Sequence, residues 1–280
     1  MNYEAPTTVD EALGLLSELG DSAKVLAGGQ SLLILLREGF AQAETLIGLR
    51  GIDELGELET NGSARIGAMV THARVEHDPA IGSGWPLVAT AEAAVSTIQI
   101  RNRGTLCGSV AHAFPTADVP AALVASDARV ELRSRSGGTR EVPAEEFFVG
   151  MLQTQAGPED LVTAVTLPPQ PEGARTAYVK YALRPLDFAI VGVAVRVVLA
   201  DDGSIADARV ALNGAASRTL RATDAEQVLT GERPSAELFA SAGAAAAKQS
   251  QPLADVDGSE EYKRRMCGVY TTRALSRALE

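Results

Sequence analysis

Two short runs of this sequence place glycines, hydroxyls and amides close together. Ala27-Gly28-Gly29-Gln30-Ser31 follows the short strand-like run Lys24-Val25-Leu26, and Gly104-Thr105-Leu106-Cys107-Gly108-Ser109 follows the basic pair Arg101 and Arg103. Paired glycines admit positive φ and leave backbone N–H groups pointing at one spot with no Cβ in the way, a geometry that binds anions. Gln30 and Ser31 add side-chain donors to the first turn, and Thr105 and Ser109 to the second. A helix opening just beyond a turn would contribute its positive end, worth roughly 0.3–1 kcal/mol toward an exposed anion. One Gly-Gly turn on its own is equally consistent with plain chain reversal. Two turns of this kind suit a pyrophosphate.

Other chemistries find less support. Neither turn is a G-x-G-x-x-G fingerprint and no G-x-x-x-x-G-K-[ST] occurs, so Rossmann-type dinucleotide and nucleoside triphosphate sites are not indicated. Cys107 and Cys267 stand far apart with no second cysteine at ligand spacing, so the chain alone can build neither a zinc site nor an iron–sulfur cluster. His72, His77 and His112 make no metal site by their spacing, and surface or capping roles are expected of them. Asp118 stands at a helix start, where it can cap that helix or accept a hydrogen bond from a ribose hydroxyl.

The elements that position these residues follow from periodicity. Val9, Leu13, Leu16 and Leu19 share one helical face, with Thr7, Thr8 or Asp10 as cap and Gly20 as terminator. Residues 24–27 form a short strand feeding the Gly-Gly turn, and 31–38 a helical segment, followed by strands at 46–49 and, after the Asn61-Gly62 turn, at 64–68. A first subdomain ends near residue 55. Helices are predicted over 71–78 and 86–95. The run 98–110 holds neither period and is read as an irregular ligand loop leading into a helix at 118–124. Strands at 128–133 and 161–167 precede the linker Pro168-Pro169-Gln170-Pro171. Beyond it, strands at 177–183, 191–199 and 206–212 predict a three-stranded antiparallel sheet, covered by helices at 236–249 and 260–279. The fold class is α+β, with domains at 1–172 (subdomains of about 1–55 and 56–172) and 173–280.

Bulk composition bounds the remaining options. The 280 residues exceed one usual domain, and 46 % hydrophobic with 22 % charged residues is ordinary globular composition. Aromatics at 4 % leave no stacking platform for single-stranded bases, and a net charge of −11 repels phosphate backbones and anionic lipid, so nucleic acid is not an expected partner. No run approaches a membrane span and Met1–Asp10 lacks a secretory pattern, so the expected location is the cytoplasm.

Four motifs together are similar to one family. Residues 25–32, the run 99–113 from Gln99 to Ala113, Thr116-Ala117-Asp118-Val119-Pro120-Ala121 and Asp187-Phe188-Ala189-Ile190-Val191 resemble the FAD-binding medium subunit of the molybdenum hydroxylases. That family includes aerobic carbon monoxide dehydrogenase and bacterial relatives of xanthine dehydrogenase. The likeness spans nearly the whole chain in the same order.

The resemblance implies a PCMH-type FAD domain of two subdomains followed by the family's C-terminal α+β domain. Ala27, Gly28, Gly29, Gln30, Ser31 and Leu32 would hold the FAD diphosphate from one side, and Arg103, Thr105, Leu106, Cys107, Gly108 and Ser109 from the other. It assigns Asp118 to the adenosine ribose rather than to capping, Lys180 to a flavin contact, Leu161 or Val162 to an apolar contact, and Asp187 to the edge of the isoalloxazine ring. It also implies two [2Fe–2S] clusters on a small partner, a molybdenum–pterin site on a large partner, a dimer of heterotrimers, and no catalytic acid or base on this chain. Three departures stand out. Cys107 puts a Cβ where the family commonly has glycine, with a slight displacement of the turn expected; Gln30 replaces a frequent histidine; and Phe114 replaces an acidic residue. Cys107 is read as a small side chain rather than a redox group. The competing readings are a free-standing flavin oxidoreductase and a non-enzymatic scaffold that docks through Tyr262, Met266 and Tyr270.

Overall fold

A computed structural model describes all residues, 1–280. The chain opens with β1 (Asn2–Glu4), α1 (Val9–Leu19), β2 (Ala23–Leu26), α2 (Leu32–Arg37) and β3 (Thr45–Gly48). Parallel pairing puts β3 between β1 and β2, so the first glycine turn leaves the sheet at its carboxyl end. Helix α1 forms because Val9, Leu13 and Leu16 share a buried face, each worth about 1.5–3 kcal/mol. Among the three capping candidates Thr8 is the cap, accepting from Glu11 N–H at 3.2 Å, while Thr7 N–H donates to the Glu11 carboxylate at 2.7 Å.

The second subdomain begins with the hairpin β4 (Leu58–Asn61) and β5 (Ser63–Gly67), turned by Gly62 at φ +75°. A helical layer follows: α3 (His72–His77), α4 (Pro79–Gly84), α5 (Pro86–Ala93), α6 (Ile98–Arg101), α7 (Leu106–His112) and α8 (Asp118–Ala125). Strands β6 (Arg129–Ser134) and β7 (Gly138–Pro143), helix α9 (Ala144–Phe147), the small pair β8 (Phe148–Gly150) and β9 (Gln153–Thr154), and β10 (Asp160–Leu167) complete it. Its sheet is antiparallel throughout, in the order β4-β5-β10-β6-β7. All eight residues of α8 are buried, which makes this helix apolar all round apart from Asp118.

Beyond the proline linker come β11 (Arg175–Tyr181), β12 (Val191–Leu199), β13 (Ile205–Asn213), β14 (Leu220–Arg221), α10 (Thr223–Leu229), α11 (Ala236–Gln249) and α12 (Glu260–Leu279). Val193, Val195 and Val197 form a second core with Phe239, Ala242, Cys267 and Leu275 from α11 and α12. The opposite face, through Tyr178, Ala194 and Ala211, joins the first core, where α8 packs on β12 and β13.

Three sequence expectations need correction here. The C-terminal sheet has four strands rather than three, because β14 is two residues long and offers no period to detect. Three helices follow that sheet rather than two, since α10 is a seven-residue segment. The supposed irregular run 98–110 contains α6 and α7, four and seven residues long, started by Thr97 and Thr105 side chains that accept from Ile100 and Gly108 N–H.

Candidate functional site

A cleft of about 480 Å³ opens between the two subdomains of the first domain and under the loop that follows β11. That volume suits an organic ligand. The two glycine turns form its back wall in direct contact with each other. A Cβ on Gly28 would lie 2.1 Å from the carbonyl oxygen of Arg103 and 2.7 Å from Cα of Gly104, so no side chain fits there. Gly29 adopts φ +75°, and α2 starts at Leu32. Backbone N–H groups of Gly28, Gly29, Gln30 and Ser31 donate to no acceptor in the protein, and neither does Cys107 N–H in the second turn. Such donors need a partner, and an anionic diphosphate supplies one. The donor set therefore fits the phosphates of a dinucleotide.

Side chains in the turns have narrower parts. Gln30 Nε2 donates to Gly28 O at 3.1 Å, bracing its own turn, and Thr105 Oγ1 accepts from Gly108 N–H at 3.0 Å. Cys107 turns its side chain away from the cleft and into the core, where Sγ contacts Ile66 O at 3.5 Å. Full burial drives the thiol well above its ordinary range, which keeps it protonated and inert.

Asp118 forms the deep end. It does not cap α8: the N-cap residue is Ala117, and no side chain bonds the first turn. Its Oδ1 accepts from Tyr178 OH at 2.7 Å and Oδ2 from Lys180 Nζ at 2.9 Å, and Lys180 also donates to Ala94 O at 2.9 Å. Burial raises the Asp118 carboxyl above its usual range, against the pull of Lys180 and Tyr178. Burial and Asp118 in turn hold the Tyr178 hydroxyl well above its ordinary value. At the mouth, the exposed Leu186 and Phe188 flank Asp187, which pairs with Arg184 at 3.4 Å, and Phe188 lies against Phe114 with ring centres 5.2 Å apart.

The cleft gathers Ala27, Gly28, Gly29, Gln30, Ser31, Leu32, Thr105, Cys107, Gly108, Ser109, Asp118, Leu161, Val162 and Asp187 into one lining. Three candidates stand outside it. Arg103 is exposed and presents only its carbonyl to Gly28, Leu106 is sealed in the core, and Lys180 sits behind Asp118. Periodicity gave no signal for Lys24, His72 or His112, all of which line the cleft. His72 departs most from the surface or capping role expected of it: it is 5 % exposed, and Nδ1 pairs at 2.5 Å with Glu92, a fully buried carboxylate of α5. Burial opposes charge on His72, but Glu92 outweighs it and holds the imidazole above its ordinary value. No cluster of three or more metal-ligating side chains is present.

Comparisons with known proteins match two family models in succession along the chain. Residues 1–170 match the family model described as the FAD binding domain in molybdopterin dehydrogenase, and residues 176–278 match the CO dehydrogenase flavoprotein C-terminal domain. The nicotine 6-hydroxylase medium subunit of Paenarthrobacter nicotinovorans is 38 % identical over 264 residues, covering 94 % of this chain and 92 % of that one. The carbon monoxide dehydrogenase medium chain of Hydrogenophaga pseudoflava is 35 % identical, covering 99 % and 96 %. A solved structure of carbon monoxide dehydrogenase from that organism superposes with a TM-score of 0.96 at 36 % identity, covering 100 % of this chain and 97 % of that chain. Quinoline 2-oxidoreductase from Pseudomonas putida 86 superposes at 0.93 with 31 % identity, covering 99 % and 96 %.

Proposed function

We propose, from the premise that this chain belongs to the FAD-binding medium subunits of the molybdenum hydroxylases, that it carries electrons from a partner's iron–sulfur clusters to an external acceptor. It is an oxidoreductase subunit with an FAD-binding domain, and its relatives work in multi-subunit complexes. In this reading a small subunit holds two [2Fe–2S] clusters, a large subunit holds the molybdenum–pterin site, and two such heterotrimers pair in the cytoplasm. Bound FAD supplies the capacity to accept electrons singly or in pairs and pass them on.

The observation that carries the assignment is the row of unpartnered amides from Gly28 to Ser31, held against the second turn and facing one cleft. This chain's residues bind and orient. The glycine turns would fix the diphosphate, Asp118 would accept from the adenosine ribose, and Leu161 and Val162 would exclude water from the cofactor. Lys180 serves by holding Asp118 in place at 2.9 Å rather than by touching the ring. The division of labour also agrees with the two cysteines, both buried and unpaired, which leave cluster ligation to another chain.

The test is gentle purification of the tagged chain from its host, with native mass and flavin, iron and molybdenum content measured on one sample. One FAD per copy, two additional chains and both metals are expected. FAD on a metal-free single chain would replace the subunit reading with an independent flavoenzyme, and a colourless preparation would remove the cofactor assignment.

A further inference from the structure

His72 has a role that the flavin reading leaves unused. Its backbone N–H donates to Gly104 O at 3.0 Å, and its ring packs on the same residue: a Cβ on Gly104 would meet His72 Cδ2 at 2.9 Å and Nε2 at 3.3 Å. Gly104 is also where the second turn touches Gly28 of the first. The imidazole thus lies beneath the junction of the two amide-rich turns. Nδ1 is spent on Glu92, whereas Nε2 has no hydrogen-bond partner in the protein, although the residue is 95 % buried and lines the cleft. A ring nitrogen that is unpaired in the protein and opens on the cleft is free to bond an acceptor placed there.

We propose that His72 is a further cofactor-binding residue, whose Nε2–H donates a charge-assisted hydrogen bond to a diphosphate oxygen of the dinucleotide, with Glu92 as the buried counter-ion that orients the ring. The inference rests on the flavin reading and deepens it. Glu92 is suited to this part, since Oε2 takes Nδ1–H while Oε1 has no other partner and the whole carboxylate is sealed from water. With Nδ1–H fixed on a carboxylate, the ring can offer a second proton at Nε2 only as an imidazolium. The charged groups around it are Glu92 on α5, Asp118 on α8 and Arg101 on α6, the last paired with Glu76 of α3 at 2.7 Å. Asp118 is already paired with Lys180 of β11, so the Glu92 contact decides the charge state. None of the side chains of the two turns, 27–31 and 104–109, can carry a positive charge, and His72, packed on Gly104, is placed to bring one to the phosphates.

The experiment uses the full chain stripped of flavin, with FAD, ADP and adenosine as titrants. His72→Gln is expected to weaken FAD and ADP by roughly tenfold to a hundredfold, the range for a charge-assisted hydrogen bond, and adenosine by less than about twofold. FAD carries no phosphate ionisation near neutral pH. Its affinity for the wild-type chain should hold steady below about 6.5. It should then fall as the pH rises through the elevated His72 value, whereas the variant should stay flat. Unchanged ADP affinity in His72→Gln, or an equal loss for adenosine, would overturn the proposal. If the variant does not fold, wild-type calorimetry at a series of pH values above about 6.5, in buffers of different ionisation heat, decides: FAD binding should take up a fraction of a proton as the pH passes through the elevated His72 value, and zero uptake across the whole series overturns the proposal. A wild-type chain that binds neither FAD nor ADP overturns the flavin reading itself, and this inference with it.

Discussion

At Gly28 a single methyl group would decide whether the two turns can meet. Its Cβ would sit 2.1 Å from a backbone oxygen, and backbone cannot swing aside as a flexible side chain can. Gly28→Ala should therefore cost about 1–3 kcal/mol in strain. It should also weaken FAD by about tenfold or more. Flavin fluorescence quenching beside a thermal melt checks both, and full affinity in this variant would mean that the turns do not cradle the phosphates. Asp118→Asn keeps the shape but leaves Lys180, whose side chain is 10 % exposed, facing a neutral amide. Loss of about 3 kcal/mol in urea unfolding is expected, with partial recovery in the double variant carrying Lys180→Met. The glycine turns were legible in the sequence because residue type alone fixed their geometry. The His72–Glu92 pair was not, since its partners lie twenty residues apart on two helices and no local pattern reports a tertiary contact.

Among the elements, length governed what could be read. Helix α12 has twenty residues and α11 fourteen, and both had the bounds that periodicity predicted, as did β12. Helices of four and seven residues, α6 and α7, complete too few turns to show a period, and only the capping threonines before them mark their starts. The same capping logic offers a control far from the cleft. Ser235 accepts from Leu238 N–H at 3.1 Å to start α11, so Ser235→Ala should lower stability by about 1 kcal/mol. The melt should shift while the FAD dissociation constant stays put; a change in affinity would mean that α11 communicates with the cleft.

Across the whole molecule the two domains are fastened by charge as well as by packing. Asp127, just past α8, accepts from Arg196 of β12 at 2.7 Å and Arg209 of β13 at 3.1 Å. Burial alone would raise its carboxyl, yet the two guanidinium groups outweigh burial and hold it below the usual value. The unfolded chain thus takes up that proton first. The bridge contributes fully above the ordinary carboxylate range near pH 4 and is lost as the pH falls through the lower folded value. Asp127→Asn should be less stable at neutral pH and lose less on acidification below about pH 4. Parallel stability curves for the two proteins would refute that fastening. Asparagine suits the site because residue 127 adopts φ +53°. The fastening has a further consequence, for the order of synthesis. Tyr178 and Lys180, which hold Asp118, follow it by 60 and 62 residues, and Asn213, which ties down Thr116 O through its side-chain amide, follows that residue by 97. A ribosome that has released only the first domain presents both glycine turns but a deep wall with nothing behind it. The deep wall of the cleft is thus complete only once residues through β13 have joined the fold, so the first domain by itself presents the glycine turns without the groups that hold Asp118.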